Sequence, residues 1–492
     1  MNAPSTLATR LLTERPRPRG IASRRYAHWL AVGTVCLGAF LGQLTASVTA
    51  LVYPALQRHF GTGFAAVEWV ALAYLLVLVA LLAPVGRLSD LVGRKTVYLG
   101  GFALFGLASL GAGFAGNLGT LVACRAVQAV GGAMMQANSV ALVARGVPEH
   151  AMRRALGIQA AAQGLGLALG PSLGGLLVEH ASWRWVFWIN VPVALVGLLA
   201  GWFLLPRTHR PDAGPDARPV PRPLPRRRGA ARPDPEDGRF DLAGLLLLAG
   251  STTALLLALS AASGLPLPGW AVAALLLASV LSGLGLVRQE RRAARPILAP
   301  GLVNTPGVRP GLAVSLIGYL LLFCPLVLGP VLFAEAGLST GRAALVITVL
   351  PAAFAVAATA GGVLLPRGWS DVARCRFGAA LAGAGLLGWA LLPAAGAPAL
   401  AAAVPLLVAG FGLGLLLPAN NALVMRAIPA ECSAVGGGMV NMARSLGTAL
   451  GTALPVLGVH LAGPVPAGRG VLLALAAVAA LAVLLTRPVR RR

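Results

Sequence analysis

Charge is scarce in this chain. Only 11% of its 492 residues are charged, where a soluble protein would carry about a quarter. Lysine is nearly absent: Lys95 is the only one. Acids number 15 against 40 basic residues, a formal net charge of +25. That excess is not gathered into a basic domain. The arginines fall in short stretches between apolar runs, so nucleic acid is not an expected partner and the excess reads as loop charge on one side of a membrane. The five cysteines (Cys36, Cys124, Cys324, Cys375, Cys432) form no CxxC pair, which excludes a disulfide or metal framework and leaves them as small apolar residues. The six histidines (His28, His59, His150, His180, His209, His460) sit at the edges of apolar runs without clustering, which speaks against a polytopic enzyme. There is no GxxxxGK[ST] loop, so no nucleotide and no other cofactor is expected. Short alternating strands are missing too, which excludes a membrane barrel.

What the chain has is apolar length: 57% of it is hydrophobic, with 62 glycines. A helix needs roughly 20 apolar residues to cross the hydrocarbon. Runs of that kind lie near 28–52, 69–86, 96–115, 119–144, 152–178, 184–205, 241–262, 269–288, 311–334, 343–365, 375–393, 396–417, 433–460 and 470–487. The expected class is an all-α polytopic membrane protein with 14 transmembrane helices. Residues 1–27 form a basic tail, and the first apolar run is too long for a signal peptide, so it stays as the first span. With the N-terminus in the cytoplasm, the inside segments collect most of the loop arginines, from Arg87 and Arg94 through Arg145, Arg153, Arg154, Arg288, Arg367 and Arg426 to the basic tail 488–492. The opposite orientation breaks the rule at nearly every loop. Segment 206–240 holds nine arginines, five acids and many prolines; it reads as a cytoplasmic linker beside anionic lipid. The Arg-for-Lys bias with so much Ala, Gly and Leu points to a high-GC bacterial genome.

An internal repeat orders these spans. Without gaps, residues 131–170 fall on 412–451 at an offset of 281, with 13 of 40 positions identical. Arg145 meets Arg426, Pro148 meets Pro429, and Gly166 and Gly170 meet Gly447 and Gly451. The same offset lays Ser89-Asp90 on Ser370-Asp371, a degenerate twin. The matched spans are eight apart. Two six-helix pseudo-repeats (28–205 and 311–487) would then be separated by two extra spans (241–288) and a connection (289–310). Parallel repeats of this size mark one large class of carriers.

Four stretches carry a closer resemblance. "GRLSDLVGRK" (86–95), "RAVQAVGG" (125–132), "GLGLALGPSLGG" (164–175) and "WRWVFWINVPVA" (183–194) stand in order at spans two to six. With them the chain resembles the major facilitator superfamily, and within it the fourteen-span drug:proton antiporters. The resemblance implies a multidrug efflux carrier in the bacterial cytoplasmic membrane, a small lipophilic substrate, a proton as coupling ion, and a monomer. It also implies that Gly86, Arg87, Asp90, Gly93, Arg94 and Lys95 form a latch that opens and closes between the halves. The residues agree: Gly86 and Gly93 allow a tight turn, and Asp90 can cap helix N–H groups while Arg94 and Lys95 pair with it. The antiporter motif would be Gly164, Gly166, Gly170, Pro171, Gly174 and Gly175. Its small residues at i, i+4 and i+8 admit close helix contact, at an interface where the family's halves rock.

Polar stripes mark a candidate path. Arg125, Gln128, Gly132, Gln136 and Ser139 share one helical face, as do Gln159, Gln163, Gly166 and Gly170, and Asn441, Arg444, Thr448 and Thr452. Arg444 lies about 18 Å into its span at 1.5 Å per residue, where a charge usually faces a cavity or a partner. On span one, Gln43 and Thr45 join the path, and Thr45 stands where the family usually has Asp. No Asp or Glu falls at the centre of any span. Arginine cannot shuttle protons, so Glu68 and Asp90 are the remaining candidates for coupling. The buried arginines favour a neutral or partly anionic substrate over a lipophilic cation. A dedicated exporter of one secondary metabolite, and a transporter-like sensor without flux, stay open as alternatives.

Overall fold

The computed structural model describes residues 17–24, 26–207, 241–262, 267–292, 300–364, 368–392, 399–428 and 433–486. The expected linker from 208 onward, most of the N-terminal tail, part of the 289–310 connection and the C-terminal tail lie outside the described residues. Among the described residues all regular structure is helical, as it must be where no water is present to pair a backbone N–H or C=O.

The first half comprises α1 (Ala27–Phe60), α2 (Phe64–Val92), α3 (Arg94–Gly113), α4 (Leu118–Gly146), α5 (Glu149–His180) and α6 (Asn190–Leu204), the last preceded by the short turn Trp185–Trp188. Two further helices follow, α7 (Leu242–Ala262) and α8 (Gly269–Arg292). The second half comprises α9 (Val308–Glu335), α10 (Thr340–Leu364), α11 (Asp371–Ala390), α12 (Ala403–Ala427), α13 (Ser433–Ala462) and α14 (Pro464–Leu485). Among the described residues 12 stretches are long and apolar enough to cross a membrane. The other two expected spans are helices as well: α7 has a shorter apolar stretch, Leu246–Leu259, and α11 opens with Asp371, Arg374 and Arg376 in its first turns.

The two halves repeat one set of helix contacts. α1 packs on α5 as α9 packs on α13, and α3 on α4 as α11 on α12. Glycine makes each approach close. A β-carbon at Gly131 would stand 2.7 Å from the Phe105 amide nitrogen and 2.8 Å from the Gly101 carbonyl oxygen. One at Gly412, its repeat mate, would stand 2.5 Å from both the Ala382 nitrogen and the Gly378 oxygen. Gly166 lies in the same way against the Phe40 carbonyl, and Gly447 against that of Leu316. Backbones this near leave no room for a side chain, which is how helices gain contact when lipid is as apolar as they are.

These contacts also correct the repeat. Gly131 and Gly412 keep the offset of 281, but their partners run from 101 to 378 and from 105 to 382, an offset of 277. The third spans have therefore slipped four residues against the fourth. Ser89 and Asp90 lie in the last turn of α2, whereas Ser370 is the N-cap of α11 and its hydroxyl accepts from the Ala373 N–H at 3.2 Å. The degenerate twin is thus not a structural equivalent. Gly86 is likewise inside α2 and not in a turn; Gly93 alone breaks the chain there, at φ 108°. The break is one residue long because Gly can take that backbone and α3 begins at Arg94.

The halves meet along two symmetry-related seams, α5 on α10 and α13 on α2. α7 packs over the second seam, touching both α2 and α13, and α8 packs on α7. Two reciprocal bonds join that added pair: the Ser251 hydroxyl donates to the Ser279 carbonyl at 3.1 Å, and Ser279 donates back to Ser251 at 2.9 Å.

Gly131→Ala and Gly412→Ala are each expected to cost about 1–3 kcal/mol, the range for overpacking. Gly438→Ala, where a β-carbon meets nothing within 4 Å, should be neutral. Thermal unfolding in detergent micelles compares the three.

Candidate functional site: the polar path between the halves

Between the halves the path narrows to two small cavities. One, of about 10 Å³, is lined by Tyr53, Tyr74 and Arg125 from the first half and by Phe323, Thr448 and Thr452 from the second. The other, of about 30 Å³, is lined by Gln43, Gln136, Gln159, Gln163, Asn441 and Arg444, with Gly38 and Met135 beside them. Ligand sites commonly enclose roughly 300–1,000 Å³, so neither cavity is large enough for a drug-sized ligand in this structure.

The first cavity is organised by Arg125. It is 1% exposed, with no reach to the interface. Its Nε donates to the Val70 carbonyl at 2.8 Å, Nη1 to Gln128 Oε1 at 2.5 Å and Nη2 to the Thr49 hydroxyl at 3.2 Å. The guanidinium lies 4.4 Å from the centroid of the Tyr74 ring, a cation–π contact strengthened by desolvation. Gln128 passes the network on, donating to Ser109 on α3 at 2.6 Å. All of these partners belong to the first half, so the cluster fixes α1, α2, α3 and α4 to one another.

Glu68 is fully buried four residues into α2. Neither carboxylate oxygen has a hydrogen-bond partner among the described residues, and the group lies within electrostatic reach of Tyr53. The Tyr53 and Tyr74 hydroxyls are also buried without hydrogen-bond partners among the described residues. These four polar atoms sit on residues of which Tyr53 and Tyr74 also pack in the apolar core, and buried polar atoms of this kind call for water, a ligand or a functional role.

The second cavity is organised by Arg444. Its Nη1 donates to Gln163 Oε1 at 3.2 Å and its Nη2 to Gln136 Oε1 at 2.7 Å. Both acceptors belong to the opposite half. Gln163 and Arg444 are 281 residues apart, which makes them mates of the repeat that touch across its pseudo-axis. Tyr319 on α9 presents its ring centroid 5.6 Å from the guanidinium.

Other expected path residues turn elsewhere. The Thr45 hydroxyl donates to Asn190 Oδ1 on α6 at 3.1 Å, so it braces α1 against α6. Gly166, Gly170 and Gly174 face Phe40, Ser47 and Val48 of α1, within their own half; Gly164 alone of these faces the seam, against Ala355 of α10. Pro171 is inside α5 and buried with Gly175. In the latch stretch, the side chains of Arg87 and Asp90 lie outside the described residues. Lys95 is buried, and its ammonium donates to the Trp202 and Leu205 carbonyls at 3.0 and 2.9 Å. It caps the C-terminal end of α6, a place that favours a cation. In the second half Arg426 forms an ion pair with Asp371. Tyr53, Tyr74, Thr49, Ser109, Asn190 and Tyr319 join the site without having been expected. The aromatic residues stand in apolar runs, where they read as core, and the small hydroxyls read as ordinary span residues.

Two repeated helical halves closing on a buried polar path define a membrane carrier. The match to known proteins agrees. The Major Facilitator Superfamily model covers residues 35–452, and the chain belongs to that family. It is a transporter, not an enzyme. The chain is similar to the "Tetracenomycin C resistance and export protein" of Streptomyces glaucescens, 30% identical over 88% of this chain and 76% of that one. It is similar to the "Puromycin resistance protein pur8" of Streptomyces alboniger, 34% identical over 87% and 80%. It also resembles the "Riboflavin transporter RibZ" of Clostridioides difficile (strain 630), 28% identical over 86% and 87%. Among solved structures, the xylose transporter XylE from E. coli superposes with a TM-score of 0.62 at 13% identity, covering 93% of this chain and 96% of that one.

Gln128→Leu should leave the Arg125 Nη1 unsatisfied and cost about 1.5–3 kcal/mol, the range for bonds to charged groups. Thr49→Val, which removes one weaker acceptor, should cost about 1 kcal/mol. Thermal unfolding of the purified variants orders them.

Proposed function

We propose that this chain is a fourteen-span exporter of lipophilic small molecules, antibiotics and other drugs among them. It works by alternating access across a bacterial cytoplasmic membrane, as a monomer with both termini in the cytoplasm. The observation that carries the reading is the similarity, over 87–88% of the chain, to relatives named for resistance to puromycin and for resistance to and export of tetracenomycin C. The buried polar path supports it. Arg444 fastens one half to the other through two neutral acceptors, bonds that can be exchanged at modest cost, as alternating access requires. The loop arginines, gathered on one side under this topology, support the orientation.

Proton influx is the proposed drive. Arg125 and Arg444 stay charged throughout, so a carboxyl group must take up and release the proton. Glu68 has the burial and the freedom from partners among the described residues that such a group needs, and it lies within electrostatic reach of Tyr53, which lines the cavity with Arg125. Asp90, at the end of α2, serves the proposed latch. A second reading, a carrier dedicated to one compound, is favoured by the relative named as a riboflavin transporter.

Purified protein in liposomes, given an imposed pH gradient and a panel of antibiotics and dyes, tests these roles. Wild type should move several compounds at rates that follow the gradient. Glu68→Gln should abolish the gradient dependence while exchange down a substrate gradient persists. Asp90→Asn should slow both. Wild-type flux indifferent to the gradient would remove the proton from the scheme, and flux of one compound alone would favour the dedicated carrier.

A further inference from the structure

The cavity around Arg444 has an unbalanced charge. Among the described residues its lining contains no Asp or Glu. The guanidinium is 9% exposed, and its two terminal nitrogens rest on the neutral amide oxygens of Gln136 and Gln163. Neutral acceptors offset part of what a buried cation loses on leaving water; an anionic oxygen pair offsets far more, because it matches the planar fork and supplies the missing charge. The rest of the lining is suited to such a guest. Gln43, Gln159 and Asn441 present amides, each able to donate. The Gln159 Oε1 is buried without a partner among the described residues, so this amide is not held by a bond at its oxygen. Tyr319 and Met135 supply apolar surface at the same place.

From this we infer the substrate class of the carrier: a lipophilic body bearing an anionic oxygen group, such as a carboxylate, phenolate or enolate, that replaces Gln136 and Gln163 on Arg444. The inference rests on the export reading for its transport step but not for its binding step. Recognition and opening become one event. The cavity, about 30 Å³, is large enough for water and far smaller than a drug-sized ligand needs. A drug-sized anion fits only if α13 draws away from α4 and α5, and taking over the two bonds that Arg444 makes there removes part of what opposes that movement. A cation gains nothing from Arg444 and meets its repulsion in a medium that screens it weakly.

The test uses the full chain and two xanthene dyes, anionic fluorescein and a cationic rhodamine ethyl ester. Binding is read by fluorescence anisotropy in detergent, and flux in liposomes. Wild type should bind fluorescein at least about tenfold more tightly than the rhodamine. Arg444→Gln should weaken fluorescein binding by about 10- to 100-fold, the loss expected for bonds to a charged donor, and leave the rhodamine unchanged or bound more tightly. Because Arg444→Gln also loosens the halves, Gln136→Leu provides the opposite sign: with one competing acceptor gone, fluorescein should bind several-fold more tightly. Equal binding of fluorescein by wild type and Arg444→Gln, preference for the rhodamine, no binding of either dye, or no gain in Gln136→Leu would each overturn the inference. Arg444-dependent binding of fluorescein without flux would uphold it and sink the export reading instead.

Discussion

A guanidinium inside a bilayer has to find acceptors, and most of what is distinctive here follows from where two of them find theirs. Leaving one donor of such a group unpaired in low dielectric costs more than an ordinary hydrogen bond is worth. Arg125 therefore gathers a carbonyl, an amide and a hydroxyl around itself and stacks on Tyr74. Arg444 gathers two amides. The difference lies in ownership. The acceptors of Arg125 come from its own half and make that half rigid. Those of Arg444 come from the other half and add two exchangeable bonds to the packed seams between the halves. A carrier needs both properties, since rigid bodies can rock only about contacts that are allowed to break.

The helices and their repetition were legible in the sequence because the hydrocarbon imposes one length and one hydrogen-bonding solution on every span. Arg145 with Arg426 and Pro148 with Pro429 exposed the repeat because they recur in surroundings whose Ala, Gly and Leu bias does not explain them. Its register was less legible. An ungapped offset cannot register a four-residue slip between neighbouring spans, so Ser370-Asp371 seemed to answer Ser89-Asp90 although one pair begins a helix and the other ends one.

The site was legible where a residue's cost in lipid is high. Arg125, Arg444 and the glutamines announce themselves by being expensive. Thr45 was misleading for the opposite reason: a hydroxyl can be satisfied almost anywhere, and this one bonds Asn190, 145 residues away. Lys95 reads as a loop charge from its neighbours, yet it caps a helix that ends about 110 residues later. Neither partner can be found from spacing, because nothing local selects it. The glycines of α5 tell the same story. Their periodicity shows that something lies close, and only packing reveals that it is α1.

The placement of α7 breaks the symmetry that the repeat would otherwise give. Of the two equivalent seams between the halves, one lies under α7, which touches both α2 and α13, while among the described residues the α5–α10 seam has no such cover. A solute dissolved in the surrounding leaflet thus meets two different flanks. On one it reaches the junction of the two halves directly; on the other it is held off by a helix that bridges them. The added pair turns a carrier with two matching sides into one with a front and a back.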